Sequence, residues 1–303
     1  MRILTVILLL LPCVLVSQSK INRVSLKNPK YSFLSDLPTQ NPNIDVFLLA
    51  GQSNMVGRAD LVDLSTPTYD QYTDTIQNTL INTAGTYLLP VIPGNVQGQI
   101  SGDFGVEVSF SDTLAKYKEE TVALYKYSIG GTRLAQDTGD DWHPQSVGEY
   151  WDTYKSGYTD LGPKLLGFGK KAEVKAFFWI QGENDAIDQT YANAYQVNLE
   201  LLIDSIRAFH QNANLPIFIG KLKSDSGAAA YNGTIISAQE AICGINYSPT
   251  GVVTLDAGSR SLCYLVETSD LTFFDGVHYT ADSYAVLGLR LASAYIYHVN
   301  SSQ

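Results

Sequence analysis

Residues 44–51 read IDVFLLAG: apolar except for Asp45, rich in β-branched and aromatic side chains, and closed by a glycine. A strand with one wet face alternates polar and apolar side chains, whereas a run without alternation buries both faces. The same pattern returns at 121–129 (TVALYKYSI, followed by Gly130-Gly131), 174–182 (VKAFFWIQG), 216–222 (PIFIGKL) and 251–257 (GVVTLDA). Between these runs stand helix-period stretches near 106–118, 160–171, 189–210 and 228–243, with a last one at 281–298. Doubly buried strands separated by helices indicate a parallel sheet covered on both sides. The expected fold is α/β: a single three-layer α/β/α domain over residues 44–299 with a five-stranded, mainly parallel sheet of the flavodoxin-like kind. In such sheets ligands bind beyond the carboxyl ends of the strands, so the residues there carry the functional argument.

The rest of the chain narrows the classes. Its 303 residues are 45 % hydrophobic and 17 % charged, which excludes a disordered or fibrous protein. Thirty acidic against twenty basic side chains give a net charge of −10. That argues against nucleic acid or an anionic membrane as partner, since both require basic patches. After Met1-Arg2, residues 3–16 form an apolar run shorter than the ~20 residues a membrane span needs. It fits the core of a secretory leader over residues 1–18, cleaved near Ser17, Gln18 and Ser19, and an uncleaved anchor is the alternative. Removing the leader leaves nineteen basic against thirty acidic residues, a charge of −11, and two cysteines, Cys243 and Cys263. These form either one disulfide or two buried thiols. Residues 19–43 are polar and irregular, and residues 58–104 form a long Thr-, Asp-, Asn- and Gly-rich insertion, of the kind that is functional or disordered. N-x-S/T sequons stand at Asn232, Asn246 and Asn300.

Polar residues gather at the strand ends. Gln52-Ser53-Asn54 follows the first run, Gly130-Gly131-Thr132 the second, and Gln181-Gly182-Glu183-Asn184-Asp185 closes the third; Asp275-Gly276-Val277-His278 precedes the last helix. A serine at a strand-to-helix turn is presented for attack, and its N–H can help to hold an oxyanion. The glycine pair lets backbone N–H groups approach a ligand, and Gln181 or Asn184 offers a side-chain amide to the same oxyanion. His278 is the natural base for Ser53, and Asp275 can orient its imidazole. Taken singly, each has a plainer use: a helix cap, a turn, a solvated carboxylate. His210 and His298 stand at the ends of helical stretches, where a cation favours the helix dipole.

Gly51-Gln52-Ser53-Asn54-Met55 with Gly57, Phe104-Gly105-Val106-Glu107, Gly130-Gly131-Thr132, Trp179 to Asp185 and Asp275 to His278 resemble the sialate O-acetylesterase / carbohydrate esterase family 6 branch of the SGNH hydrolases. The resemblance implies a catalytic Ser53 and His278, with Asp275 as the acid and Glu183 as the alternative. It implies an oxyanion hole of Ser53, Gly131 and either Gln181 or Asn184. It implies a secreted esterase acting on acetylated sialic acid or acetylated polysaccharide through an acyl-enzyme, without cofactor or metal. Arg58 and Arg133 are candidate contacts for a sialate carboxylate, and Trp142, Trp151 and the tyrosines candidate platforms for a polysaccharide. The alternatives are a catalytically inactive glycan-binding domain on the same fold, or an esterase for non-carbohydrate esters. The G-x-S-x-G elbow of the α/β-hydrolases is absent, as are H-E-x-x-H and P-loop patterns.

Overall fold

The computed structural model describes residues 41–302 apart from 66, 84–87, 96–101, 249 and 255–257. The leader read at 1–18 and all but the last three residues of the segment read at 19–43 lie outside the described residues. The first half of the chain carries β1 (Asn43–Gly51), α1 (Ser53–Val56), β2 (Ala59–Asp60), β3 (Thr79–Thr83), β4 (Leu88–Leu89), β5 (Asp103–Phe104), α2 (Glu107–Lys118) and β6 (Val122–Ser128). The second half carries α3 (Tyr150–Leu166), β7 (Lys171–Ile180), α4 (Gln189–Phe209), β8 (Ile217–Gly220), α5 (Asn232–Ile242), β9 (Cys243–Ser248), β10 (Gly251–Thr254), β11 (Arg260–Val266) and α6 (Ala281–Ser301).

The main sheet has nine strands, in the order β10-β9-β11-β8-β7-β1-β6-β3-β4. This corrects the expected five. The edge strands β10 and β4 are antiparallel to their neighbours, and every pairing between them is parallel. The stretch 251–257 is therefore not a core strand: its described part, β10, is an edge strand with three of its four residues exposed. The parallel place next to β8 belongs to β11, which enters the sheet through Arg260 and Ser261 and so lacks the wholly apolar signature. The insertion 58–104 does not stay a loop. It returns to the sheet as β3 and β4, and β3 buries Thr79, Asn82 and Thr83, polar side chains that conceal a strand from hydropathy. Helix α3 starts ten residues before the expected 160, and its buried Trp151, Tyr154, Leu161 and Leu165 keep helical spacing despite Gly157 and Pro163.

Both sheet faces are covered. On one, Phe47 and Leu49 of β1 join Phe178 and Phe218 under Phe110 and Leu114 of α2 and Leu291 and Tyr295 of α6. The two helices approach closely at Gly288, where a Cβ would lie 2.1 Å from Ser109 Oγ, and Ser109 Oγ donates to Ala285 O at 2.7 Å. On the other face, Phe177 and Trp179 of β7 pack edge-on against Tyr154 of α3 and Trp142 respectively. Strand β1 is central, with β6 on one side and β7 on the other, and the chain changes direction across it. In register, Gly51 pairs with Ser128 and with Ile180, so the three strands end level. The segments that follow them meet at this switch point.

Candidate active site

Ser53 opens α1 immediately beyond β1 and is buried. The turn before it is tight: Gly51 has φ +143°, and a Cβ there would lie 2.1 Å from Ile180 O. Gln52 N–H donates to the same carbonyl at 2.9 Å. Only glycine permits the serine turn to lie this close to β7. The far end of the turn is fixed from behind by a buried lysine. Lys126 Nζ, with a side chain 0 % exposed, donates to Val56 O at 2.8 Å and to Glu107 Oε2 at 2.7 Å. Glu107 Oε1 in turn accepts the Gly105 N–H at 3.0 Å. Burial pushes the Lys126 ammonium pKa down and Glu107 opposes that shift.

His278 sits in the loop before α6. Its Nδ1 lies 2.7 Å from Asp275 Oδ2, while Asp275 Oδ1 accepts the main-chain N–H of His278 at 2.7 Å and of Val277 at 3.0 Å. Burial opposes the charge on Asp275, but these donors outweigh it and hold the carboxyl below its ordinary value. Glu183, after β7, has a different setting. Its Oε1 accepts Asn54 Nδ2 at 2.6 Å, and its buried Oε2 has no hydrogen-bond partner among the described residues. Burial pushes its carboxyl up, against the opposing Asn54 bond. Asp185 is fully buried and grips the loop after β6, accepting Leu134 N–H and Ala135 N–H at 2.9 Å each.

One cleft of about 390 Å³ gathers Ser53, Arg58, Gly131, Glu183, Asn184 and His278. Asp275 stands behind His278 and does not itself line the cleft, and Gln181 is not brought to it. Its Nε2 donates to Thr132 O at 3.2 Å and Asp185 Oδ2 at 2.5 Å, so both amide hydrogens are used beneath the floor. Asn184 Nδ2 donates to Gly131 O at 2.7 Å, which leaves its second N–H for the cleft. Arg133 also turns away, pairing with Asp137 and lying 4.7 Å over the Tyr191 ring. Trp142 and Trp151 are buried in the α3 layer and offer no platform. The Asn232 side chain is buried too, its amide donating to Ser224 O and Ser226 O, so that sequon is closed. Among the described residues no group of three or more His, Cys, Asp or Glu is placed to hold a metal. No helix among them is long and apolar enough to cross a membrane.

Residues 43–297 match the family of carbohydrate esterases described as sialic acid-specific acetylesterase. The chain belongs to that carbohydrate esterase family. A probable carbohydrate esterase of Arabidopsis thaliana is 32 % identical over 124 residues, which is 41 % of this chain and 41 % of that protein. The crystal structure from Arabidopsis thaliana superposes with a TM-score of 0.64 at 22 % identity, covering 84 % of this chain and 99 % of that one. A carbohydrate acetylesterase from Xanthomonas citri superposes with a TM-score of 0.57 at 17 % identity, covering 86 % and 57 %. At such identities the structural likenesses show a shared fold.

In this member of the carbohydrate esterase family, sequence patterning passes over Asn54, which ties the strand-end segments together. Its Nδ2 donates to Glu183 Oε1 and, at 3.0 Å, to Val277 O. Its Oδ1 accepts Tyr284 OH at 2.8 Å and Tyr279 N–H at 3.3 Å. The serine turn, the β7 end and the histidine loop thus share one buried amide. A signal for it existed only in its place directly after Ser53.

Proposed function

We propose that the protein is an exported serine esterase that removes O-acetyl groups from carbohydrate through an acyl-enzyme intermediate. The observation that carries this reading is the shared cleft of Ser53 and His278, with His278 Nδ1 held by Asp275 at 2.7 Å. A proton on Nδ1 leaves Nε2 as the acceptor for the serine hydroxyl. Ser53 Oγ attacks the acetyl carbon as Nε2 takes its proton. The tetrahedral oxyanion accepts the N–H groups of Ser53 and Gly131 and the Asn184 amide, each such donor contributing ~2.7–4 kcal/mol. Collapse breaks the bond to the sugar oxygen, which takes the proton from His278. Water then repeats the sequence on the acetyl-enzyme, releasing acetate and restoring Ser53.

Export is supported by the leader pattern of residues 1–18 and by the Cys243–Cys263 disulfide, a bond that persists in oxidising compartments. The experiment is acetate release from p-nitrophenyl acetate by the purified protein. Ser53→Ala is expected to abolish it. A Ser53→Ala variant with wild-type rate would sink the assignment, and an inert wild type that binds a glycan array would favour the glycan-binding alternative.

A further inference from the structure

Beside the cleft lies a second pocket of about 380 Å³, lined by Arg58, Asp60, Asp63, Asp103, Phe274 and Thr280 among others. Arg58 lines both cavities, so they adjoin. Phe274 is 54 % exposed, and its ring stacks on the His278 imidazole, centroids 6.0 Å apart at 27°. A group resting on Phe274 is therefore next to the histidine of the cleft. Asp103 is the reverse case: only 8 % exposed, it lines this pocket with its carboxylate. Its carboxylate is an acceptor on the pocket wall, and a ligand carrying hydroxyls supplies donors to it. Asp60 Oδ1 already accepts the Val62 N–H at 3.0 Å; Asp60 and Asp63 bring two more carboxylates to the wall.

A sugar ring has the matching chemistry. Its C–H face packs on an aromatic ring, and its hydroxyls donate to carboxylates. An anionic sugar does not match, because it meets three carboxylates and one guanidinium in a chain of net charge −10. We propose that this pocket is a second sugar subsite, which binds the neutral pyranose adjacent to the acetylated one. The substrate is then an acetylated neutral oligosaccharide and not a sialic acid. This inference rests on the esterase reading of the cleft.

The test measures kcat/KM for acetate release from acetylated glucose and xylose, their acetylated β-1,4-linked disaccharides, O-acetylated N-acetylneuraminic acid and p-nitrophenyl acetate. The wild type is expected to gain about tenfold from monosaccharide to disaccharide in at least one series, roughly the worth of one aromatic contact with its hydrogen bonds. It is expected to be slower on the sialic acid. Phe274→Ala and Asp103→Asn are each expected to erase the gain, mainly through KM, and so to lower the ratio of disaccharide to p-nitrophenyl acetate activity. Thermal melts check that both variants fold, and Phe274→Ala, at an exposed position, keeps the test open if Asp103→Asn does not. Equal losses on every substrate would mean that Phe274 only supports His278, and would overturn the subsite. So would the absence of a chain-length gain, a gain that both variants retain, or a preference for the sialic acid. A wild type inert even on p-nitrophenyl acetate removes the esterase reading, and the subsite with it.

Discussion

Two carboxyl groups stand near His278, and their surroundings set them apart. Asp275 is half open to water and takes three donors from the histidine loop, which keep it ionised below the ordinary aspartate range. Glu183 is buried, takes its one side-chain donor from Asn54, and is pushed up by burial. An orienting carboxylate has to be charged and bonded to Nδ1, and the first setting meets both conditions. Asp275→Asn is therefore expected to lower kcat by about 10³–10⁴-fold, the scale of losing the correct imidazole tautomer. Glu183→Gln keeps an acceptor for Asn54 and is expected to cost far less. Steady-state kinetics on p-nitrophenyl acetate rank the two, and the reverse order would transfer the role to Glu183. Much of the cleft lining could be read from residue types alone, because Ser53, Gly131 and Asn184 are polar or flexible residues soon after buried strands, and His278 stands in a D-x-x-H just before the last helix. The exclusion of Gln181 could not be, since a side chain two or three residues along a turn faces either cleft or floor according to backbone geometry. Lys126 was hidden for a related reason: it lies inside an apolar strand, where a charge reads as noise until its partner Glu107 is seen.

Helices α3 and α4 meet around a histidine whose position suggested a cation. His210 follows the last residue of α4, where the helix dipole favours positive charge. The structure instead places its ring 4.5 Å from that of Tyr158, edge-on, and its Nε2 3.0 Å from Tyr154 OH. Burial pushes its pKa down to about 4, so desolvation outweighs the dipole and the ring is neutral at pH 7. His298 follows the same rule: burial lowers its pKa, and its Nδ1 lies 2.7 Å from Tyr264 OH. In the unfolded chain a histidine takes up a proton near pH 6.5. The neutral His210 thus contributes stability in full above that pH, and the contribution is lost as pH falls through about 4. The loss amounts to about 3 kcal/mol. His210→Gln, which retains hydrogen-bonding capacity toward Tyr154, removes this dependence. Urea unfolding at pH 7.5 and at pH 4 is expected to show the wild-type advantage over the variant shrinking by that amount. A difference that stays constant with pH would mean the ring is protonated in the folded protein.

Across the whole molecule, the sheet separates chemistry from its far edge. The cleft lies over β6, β1 and β7, whereas the Cys243–Cys263 disulfide joins β9 to β11, with β8 between β11 and β7. The middle strands need little help, since their faces are buried by α2, α6, α3 and α4. The edge is less well covered: β10 is largely exposed, and β9 is half-buried after Cys243. The β9–β11 pairing also shifts register between Arg260 and Tyr264, with Leu262 at φ +52°. A covalent tie is placed where hydrophobic burial is weakest. Closing a loop with a sequence separation of 20 restricts the unfolded chain by about 3 kcal/mol in the chain-entropy model. Reduction, or the double variant Cys243→Ala/Cys263→Ala, is expected to lower Tm by several degrees. Esterase activity at 25 °C should persist, because β8 and β11 stand between β9 and the strands under the cleft. Hydrogen exchange locates the effect: amides of β9 and β10 should lose protection before those of β1 and β7. Activity lost in step with reduction at 25 °C would show that the edge and the cleft unfold as one unit, contrary to the separation argued from the strand order.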